Sequence, residues 1–393
     1  MTKPKCLFVG DGCVATGFAR MNHAYIDGIK DTWDVSMIAL NYHGDPHTYP
    51  FDIYPALARG SDSPWGEKRI PELVAKIRPD LIVVVNDPWN FPPYLRAAGN
   101  TPVVASVAVD GKNCRGAALN GTRHAIFWTE FGLREARQGG YTGSASIVPL
   151  GVDLSVYHPT EQAESRRRIG LPARLRGGDT FIVGVVGRNQ PRKRIDLALM
   201  YFAEWIKSTG NMDAYLFLHI GPTGDRGYDV EQLAAYLGVA NRVIVSEPEI
   251  GHGMAEENLK YIYGSFDIML STTQGEGWGL THMEGMACGI PQVLPDWSAL
   301  GEWAKDAAHL VECSSVSCTP NNVNAIGGIA DKAQVIEALQ QFYEYRPTYG
   351  QMMSDKGLAL VKQPQFRWEA IGTEFARALD VAMSPTLLQE RVS

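Results

Sequence analysis

The chain has 393 residues, 45% of them hydrophobic and 20% charged, and its 43 acidic and 36 basic side chains leave a formal net charge of −7. At about 150 residues per domain this is room for two domains with real cores, and the composition excludes a disordered, collagenous or coiled-coil chain. Net acidity argues against general affinity for nucleic acid or anionic membrane through bulk charge, while a local basic patch stays open.

The N-terminal MTKPKCLFVGDG runs from two lysines into a short apolar stretch, too short for a signal-peptide core, and no run of eighteen apolar residues follows anywhere. No integral membrane segment is expected, although surface attachment through an amphipathic helix stays open. Cys6, Cys13, Cys114, Cys288, Cys313 and Cys318 make no disulfide framework, and the close pair Cys313 and Cys318 lacks the second pair or histidine that a zinc site needs. A reducing cytoplasm is the expected compartment.

Along the chain, continuous apolar runs at 6–10, 80–86, 102–109, 125–129, 181–187, 215–221, 242–246, 266–272 and 291–295 suit strands buried on both faces of a parallel sheet. Between them lie helical patterns at 17–30, 195–207, 230–238 and 332–346. Two successive β/α series predict an α/β protein of two doubly wound, Rossmann-like domains facing each other across a cleft. The break falls in IVPLGVDLSVYHPT (147–160). Residues 1–152 carry 15 basic and 14 acidic side chains and 153–363 carry 18 and 25, so the acidity belongs to the second lobe. Arg166, Arg167 and Arg168 just beyond the break read as the solvated face of a linker helix rather than an anion site.

Several segments carry chemistry. In VGDGCVATGFAR (9–20) a strand ends in glycines and a helix opens near Gly17, a turn whose N–H groups can cradle phosphate, or a plain tight turn. NDPWNFPPYL (86–95) clusters Trp89, Phe91 and Tyr94 as an acceptor-stacking platform or as loop packing. VVGRNQPRKRID (185–196) sets Arg188 and Lys193 before a helix, where two cations could neutralise a departing diphosphate or simply face water. In STTQGEGWGLTHMEGMACGIPQVLPD (271–296), Glu276 and Glu284 stand eight residues apart, the first in a glycine-rich loop and the second in a helix. Carboxylates at that spacing can grip two hydroxyl-bearing rings of one ligand. His43 and His47 read as a surface loop, since Gly44, Asp45 and Pro46 break any helix that would align them for a metal.

These residues carry a family resemblance. Glu276 and Glu284 within EGWGLTHMEGMACGIPQV resemble the signature of GT-B retaining glycosyltransferases of family 4, the glycosyl transferases group 1. GRNQPRKRID is similar to that family's Gly-Arg…Lys loop, IVPLGVDLSVYHP to its interdomain phrase, and FRWEAIGTEFARAL (366–379) to the closing helix that crosses back to the first lobe. The resemblance implies domains of 1–152 with 364–393 and of 153–363, the first on the acceptor side and the second binding the donor. It implies that Arg188 and Lys193 hold the donor diphosphate, Glu276 the sugar hydroxyls and Glu284 the ribose hydroxyls. The amides of Gly277, Trp278, Gly279 and Leu280 would line phosphate and sugar, Gly17 would approach the phosphate from the first lobe, and Ser246 and Glu247 would meet the base. Where the family often has a histidine near the transferred sugar this chain has Ala108, and Asp110 two residues on either replaces it or makes an Asp-Gly turn. The phrase DWSALGEW (296–303), in place of a usual glycine pair, is similar to phage-type members, whose acceptors include virion proteins and hydroxylated DNA bases.

The implied activity is retaining transfer of a sugar from a nucleoside diphosphate sugar, UDP- or GDP-linked, to a hydroxyl acceptor. No cofactor and no metal is expected, because no Asp-x-Asp pair is placed to hold one and the two cations can take its part. A sugar phosphorylase, a nucleotide-sugar epimerase and a non-catalytic nucleotide-sugar-binding protein are the rival readings.

Overall fold

The structure, a computed structural model, describes residues 2–14, 16–57, 60, 63–220, 227–246, 255–320 and 323–384. It divides into two compact units, Met1–Gly151 with Pro364–Ser393, and Val152–Gln363.

The first unit is built on β1 (Lys5–Asp11), β2 (Asp34–Leu40), β3 (Asp52–Pro55), β4 (Leu81–Asn86), β5 (Val103–Val107), β6 (His124–Phe127) and β7 (Ala145–Ile147). They form one parallel sheet in the order β3-β2-β1-β4-β5-β6-β7. The central strands are mostly apolar because helices cover both faces. One of these, Gly17–Ile29, buries Met21, Tyr25, Ile26 and Ile29 and packs on the last helix, Trp368–Met383. The two axes come close because Gly28 faces Gly372, where a Cβ would lie 2.4 Å from the Gly372 Cα. Tyr25 stacks on Phe375 beside that contact, ring centroids 4.2 Å apart.

The second unit repeats the plan with β8 (Phe181–Gly187), β9 (Ala214–Ile220), β10 (Val243–Ser246), β11 (Ile268–Leu270), β12 (Gln292–Pro295) and β13 (His309–Val311). All pair in parallel, in the order β10-β9-β8-β11-β12-β13. An antiparallel pair, β14 (Cys313–Cys318) and β15 (Ile326–Ala330), stands apart from this sheet. In both sheets the chain reverses direction across the sheet at the first strand, between β1 and β4 and between β8 and β11. The crevice outside the carboxyl ends of such a strand pair is where open α/β sheets take ligands.

Two expectations need correcting. Arg166 is not on a solvated face: it is fully buried and its guanidinium donates to the carbonyls of Ser265 (2.9 Å), Gly177 (2.7 Å) and Thr180 (3.3 Å) and to Asp267 Oδ2 (2.8 Å). Only Arg167 and Arg168 face water, both paired with Glu164. In the segment 86–95 Phe91 and Tyr94 follow the packing alternative, but on regular structure and not on an irregular loop. Pro88–Asn90 is a 3-10 turn leading into the helix Phe91–Ala98, and Phe91 and Tyr94 are core residues of the first unit.

Candidate functional site

At the switch point of the second sheet, the loops after β8 and β11 run side by side. A 3-10 turn, Pro191–Lys193, follows β8, and Arg194 takes a left-handed conformation (φ 50°) to open the helix Ile195–Thr209. The second loop is laced to the first. Gln274 N–H donates to the Arg192 carbonyl (2.9 Å), Thr272 Oγ1 donates to the Arg194 carbonyl (2.8 Å), and the Arg192 guanidinium donates to the Gly275 carbonyl.

This lacing delivers Glu276 onto two cations. Lys193 Nζ lies 2.5 Å from Oε1 and Arg192 Nη1 lies 3.2 Å from Oε2. Glu276 is only 6% exposed. Burial pushes its carboxyl up, but the Lys193 and Arg192 charges and the Lys193 hydrogen bond outweigh burial and hold the pKa down to about 2. At neutral pH Glu276 is therefore an ionised acceptor of hydrogen bonds and not an acid.

The Glu276 backbone is gripped as well. Its N–H donates to Ser298 Oγ (2.9 Å), and Ala299 N–H donates to its carbonyl (3.4 Å). Two residues on, the Trp278 carbonyl accepts from Trp303 Nε1 (2.7 Å), and the two indoles stack with centroids 5.5 Å apart. Gly279 then turns the chain at φ 94°, where a Cβ would strain the backbone and come within 2.7 Å of Leu300 Cδ2. That turn opens the helix Leu280–Ala287, which carries two further buried polar groups. His282 Nδ1 lies 3.1 Å from Gln292 Oε1, and burial lowers its pKa to about 4, leaving a neutral ring. Glu284 accepts from Tyr263 Oη at 2.6 Å.

Of the residues singled out in the sequence, Lys193, Glu276, Gly277, Trp278, Gly279, Leu280 and Glu284 stand on these two loops and this helix. Arg188 is exposed just beyond β8, and the ion pairs to Glu276 come from Arg192 and Lys193. Ser246 ends β10 with its Oγ 3.3 Å from His219 Nδ1, while Glu247 lies outside the described residues. Gly17 and Asp110 belong to the first unit. Gly17 opens its helix behind the N-cap Thr16, whose Oγ1 accepts from Ala19 N–H (3.1 Å) and donates to Asp11 Oδ2 (2.7 Å). Asp110 lies beyond the end of β5, half-buried.

Arg192, His282 and Ser298 stand at the candidate site and were missed by sequence reasoning. Arg192 had a signal, its place beside Lys193 in an Arg-Lys-Arg run, whereas nothing in the local sequence marks Ser298. Among the described residues no three His, Cys, Asp or Glu side chains gather as a metal site would need. Among those residues, too, no helix is long and apolar enough to cross a membrane.

Comparison with known proteins bears on both halves differently. Residues 172–339 match the family model described as glycosyl transferases group 1, so the match falls wholly within the second unit. A D-inositol 3-phosphate glycosyltransferase from Acidothermus cellulolyticus is 34% identical over 171 residues, 42% of this chain and 36% of the relative. Another of that name from Stackebrandtia nassauensis is 32% identical over 154 residues, 38% of this chain and 32% of the relative. The chain thus spans about a third of the length of the curated relatives it matches. The fold extends further. A sucrose-phosphate synthase from Thermosynechococcus elongatus superposes with TM-score 0.74 over 96% of this chain and 98% of its own, at 18% identity. Anabaena HepE, solved in complex with UDP-glucose, superposes with TM-score 0.70 over 96% and 99%, at 17% identity.

Proposed function

Since residues 172–339 form a glycosyl transferases group 1 domain in a chain of GT-B fold, we propose that the protein moves a sugar from a nucleoside diphosphate sugar to a hydroxyl acceptor with retention of anomeric configuration. The observation that carries this reading is the buried, ionised Glu276 held between Lys193 and Arg192 at the second sheet's switch point. A permanently charged carboxylate beside two cations, lodged where α/β sheets bind ligands, suits a ligand that brings both hydroxyls and a diphosphate.

In this mechanism Glu276 accepts hydrogen bonds from the donor sugar and Glu284 from the ribose, while Ser246 and Glu247 meet the base. Arg188 and Lys193 take the diphosphate charge, joined by the amides of Gly277, Trp278, Gly279 and Leu280. An ammonium has three N–H donors, so Lys193 can serve Glu276 and a phosphate oxygen together. The diphosphate departs against this fixed positive field, which stabilises charge developing in the transition state. The acceptor oxygen bonds to the anomeric carbon on the face the diphosphate leaves, and the hydroxyl proton goes to the departing phosphate. No metal is assigned a part, because Arg188 and Lys193 carry the charge that one would neutralise. In the first unit, Gly17 is assigned to the diphosphate and Asp110 to sugar or acceptor.

UDP and GDP sugars are the first donors to test, UDP-glucose before others because HepE, of the same fold, binds it. The family match lies on the donor half, so the acceptor in the relatives' name is one candidate beside a glycan, a lipid, a virion protein or a hydroxymethylated DNA base. The test is a thermal-shift panel of UDP, GDP, ADP and TDP with their sugar conjugates, because a ligand of the folded state raises its melting temperature by mass action. A rise with one series, reduced in Arg188→Ala, is expected; no rise with any would overturn the donor assignment. Turnover that requires free phosphate, or that proceeds without acceptor, would reassign the protein as a phosphorylase or an epimerase, and binding with neither transfer nor hydrolysis as a non-catalytic binder.

A further inference from the structure

Two kinds of contact hold Glu276, and they differ in what donor binding does to them. The carboxylate rests on Lys193 and Arg192, and Lys193 must be shared with the donor. The backbone rests on Ser298 and Ala299, through bonds of 2.9 and 3.4 Å that take up both its N–H and its carbonyl. Neither residue has a part in gripping the donor, so this second hold persists when the site fills.

Ser298 makes its contact at a cost. Its φ is 51°, a left-handed conformation that L side chains other than Asn and Asp seldom adopt. Glycine would occupy the position without strain, yet the chain places a serine there, 6% exposed, with its Oγ on the Glu276 N–H. Without that hydroxyl a buried N–H loses its partner, which folded proteins rarely tolerate. The surroundings reinforce the arrangement on either side of Glu276. Before it, Gln274 is pinned by Gly328 N–H of β15, which donates to the Gln274 carbonyl at 2.9 Å; after it, the Trp278 carbonyl is pinned by Trp303.

We propose that Ser298 is a positioning residue for Glu276: its hydroxyl fixes the Glu276 backbone so that the carboxylate stays aimed at the donor sugar when Lys193 is shared with the diphosphate. This inference rests on the donor-site reading of Glu276. It assigns the DWSALGEW phrase a role as a clamp on the loop that precedes it in the chain.

Two variants separate the hydroxyl from the backbone conformation. Ser298→Gly removes the hydroxyl and relieves the left-handed strain, and Ser298→Ala removes the hydroxyl and keeps the strain. Each is compared with the wild type for melting temperature, for steady-state kinetics, and for affinity toward the nucleotide sugar selected by the panel and its parent nucleoside diphosphate. Both variants are expected to bind the diphosphate as the wild type does and the nucleotide sugar roughly three- to tenfold more weakly, the scale of one hydrogen bond. Turnover falls with it, while Ser298→Gly melts no lower than the wild type. Wild-type affinity and turnover in Ser298→Gly would reduce Ser298 to a turn residue and overturn the proposal. Equal weakening toward diphosphate and nucleotide sugar would overturn it too, as general damage to the loop. Failure of the underlying reading looks different: the wild type then binds no member of the panel, or Glu276→Ala binds the nucleotide sugar unimpaired.

Discussion

The two units share a strand order and differ in what they bury at its centre. Counted within each, both sheets run 3-2-1-4-5-6, the first with one strand more. Around the first switch point, amides and hydroxyls supply the donors: Asn22 Nδ2 donates to the Asp11 carbonyl (2.8 Å), Thr16 Oγ1 to the Asp11 carboxylate (2.7 Å) and Asn86 Nδ2 to Tyr94 Oη (3.0 Å). Around the second, cations supply them, with Lys193 and Arg192 on Glu276; a further buried ion pair of this unit, Arg166 on Asp267, stands at the amino ends of β8 and β11. The family match stops within the unit that carries the ions. One topology thus provides the same crevice twice, and charged side chains on its loops decide which crevice has a recognisable chemistry.

The contrast can be broken at its strongest point by Arg166→Met. Asp267 accepts from Ile182 N–H (2.6 Å) and pairs with Arg346 as well as Arg166, yet losing Arg166 leaves a buried carboxylate short of its main partner. The expected cost is about 3–5 kcal/mol, read as a shift of the urea midpoint. Arg123→Met in the first unit removes bonds to the Ala382 and Ser384 carbonyls, neutral acceptors, and should cost about 1–2 kcal/mol. Equal costs would erase the distinction.

Next in size is activity. Glu276→Ala should lower kcat/KM about a hundredfold or more with the fold intact by circular dichroism, as expected for loss of a pre-arranged charged contact. Asp110→Ala should lose about tenfold, and a larger loss there than at Glu276 would move the chemistry to the first unit. Lys193→Ala should weaken donor binding by about tenfold, measured by calorimetry, because it deletes one charge-assisted bond to phosphate.

The smallest effect sharpens the comparison through pH. Burial lowers the pKa of His219 and His282 in the second unit, and of His124 in the first, to about 4 from the ordinary 6.5. A depressed histidine stays neutral when folded and charges when unfolded, so stability is full above pH 6.5 and is lost as pH falls toward 4. Glu276, depressed from 4.5 to about 2, adds a second loss between those values. Urea midpoints at pH 7 and pH 5.5 should therefore fall less in a His219→Gln, His282→Gln variant than in the wild type. An unchanged difference would mean these rings do not govern acid sensitivity.

Much of this was legible in the chain. The runs that became β1, β4, β5, β8 and β9 are mostly apolar because both their faces are covered, and that pattern survives without any knowledge of neighbours. The edge strands β3, β7 and β13 were not legible, being short and half-buried, and the interior strand β2 was missed as well. Lys193, Glu276 and Glu284 could be picked out by residue type and spacing, Glu276 in a glycine-rich loop, Glu284 in the helix after it and Lys193 just before another helix. Arg166 could not be told from Arg167 and Arg168, since all three occupy one helix and only packing against Asp267 separates them.

By itself the sequence determined what is local: which stretches become strands, where the loops carry charge, and which carboxylates stand in glycine-rich turns. The tertiary structure alone decided that Lys193 meets Glu276 across 83 positions of chain with Arg192 beside it, that Arg166 meets Asp267 across 101, and that Ser298 bends left-handed to hold the Glu276 amide. Those contacts join residues whose separation along the chain carries no signal of their distance in space, and burial, which gives each of them its energy, exists only once the chain has closed around them.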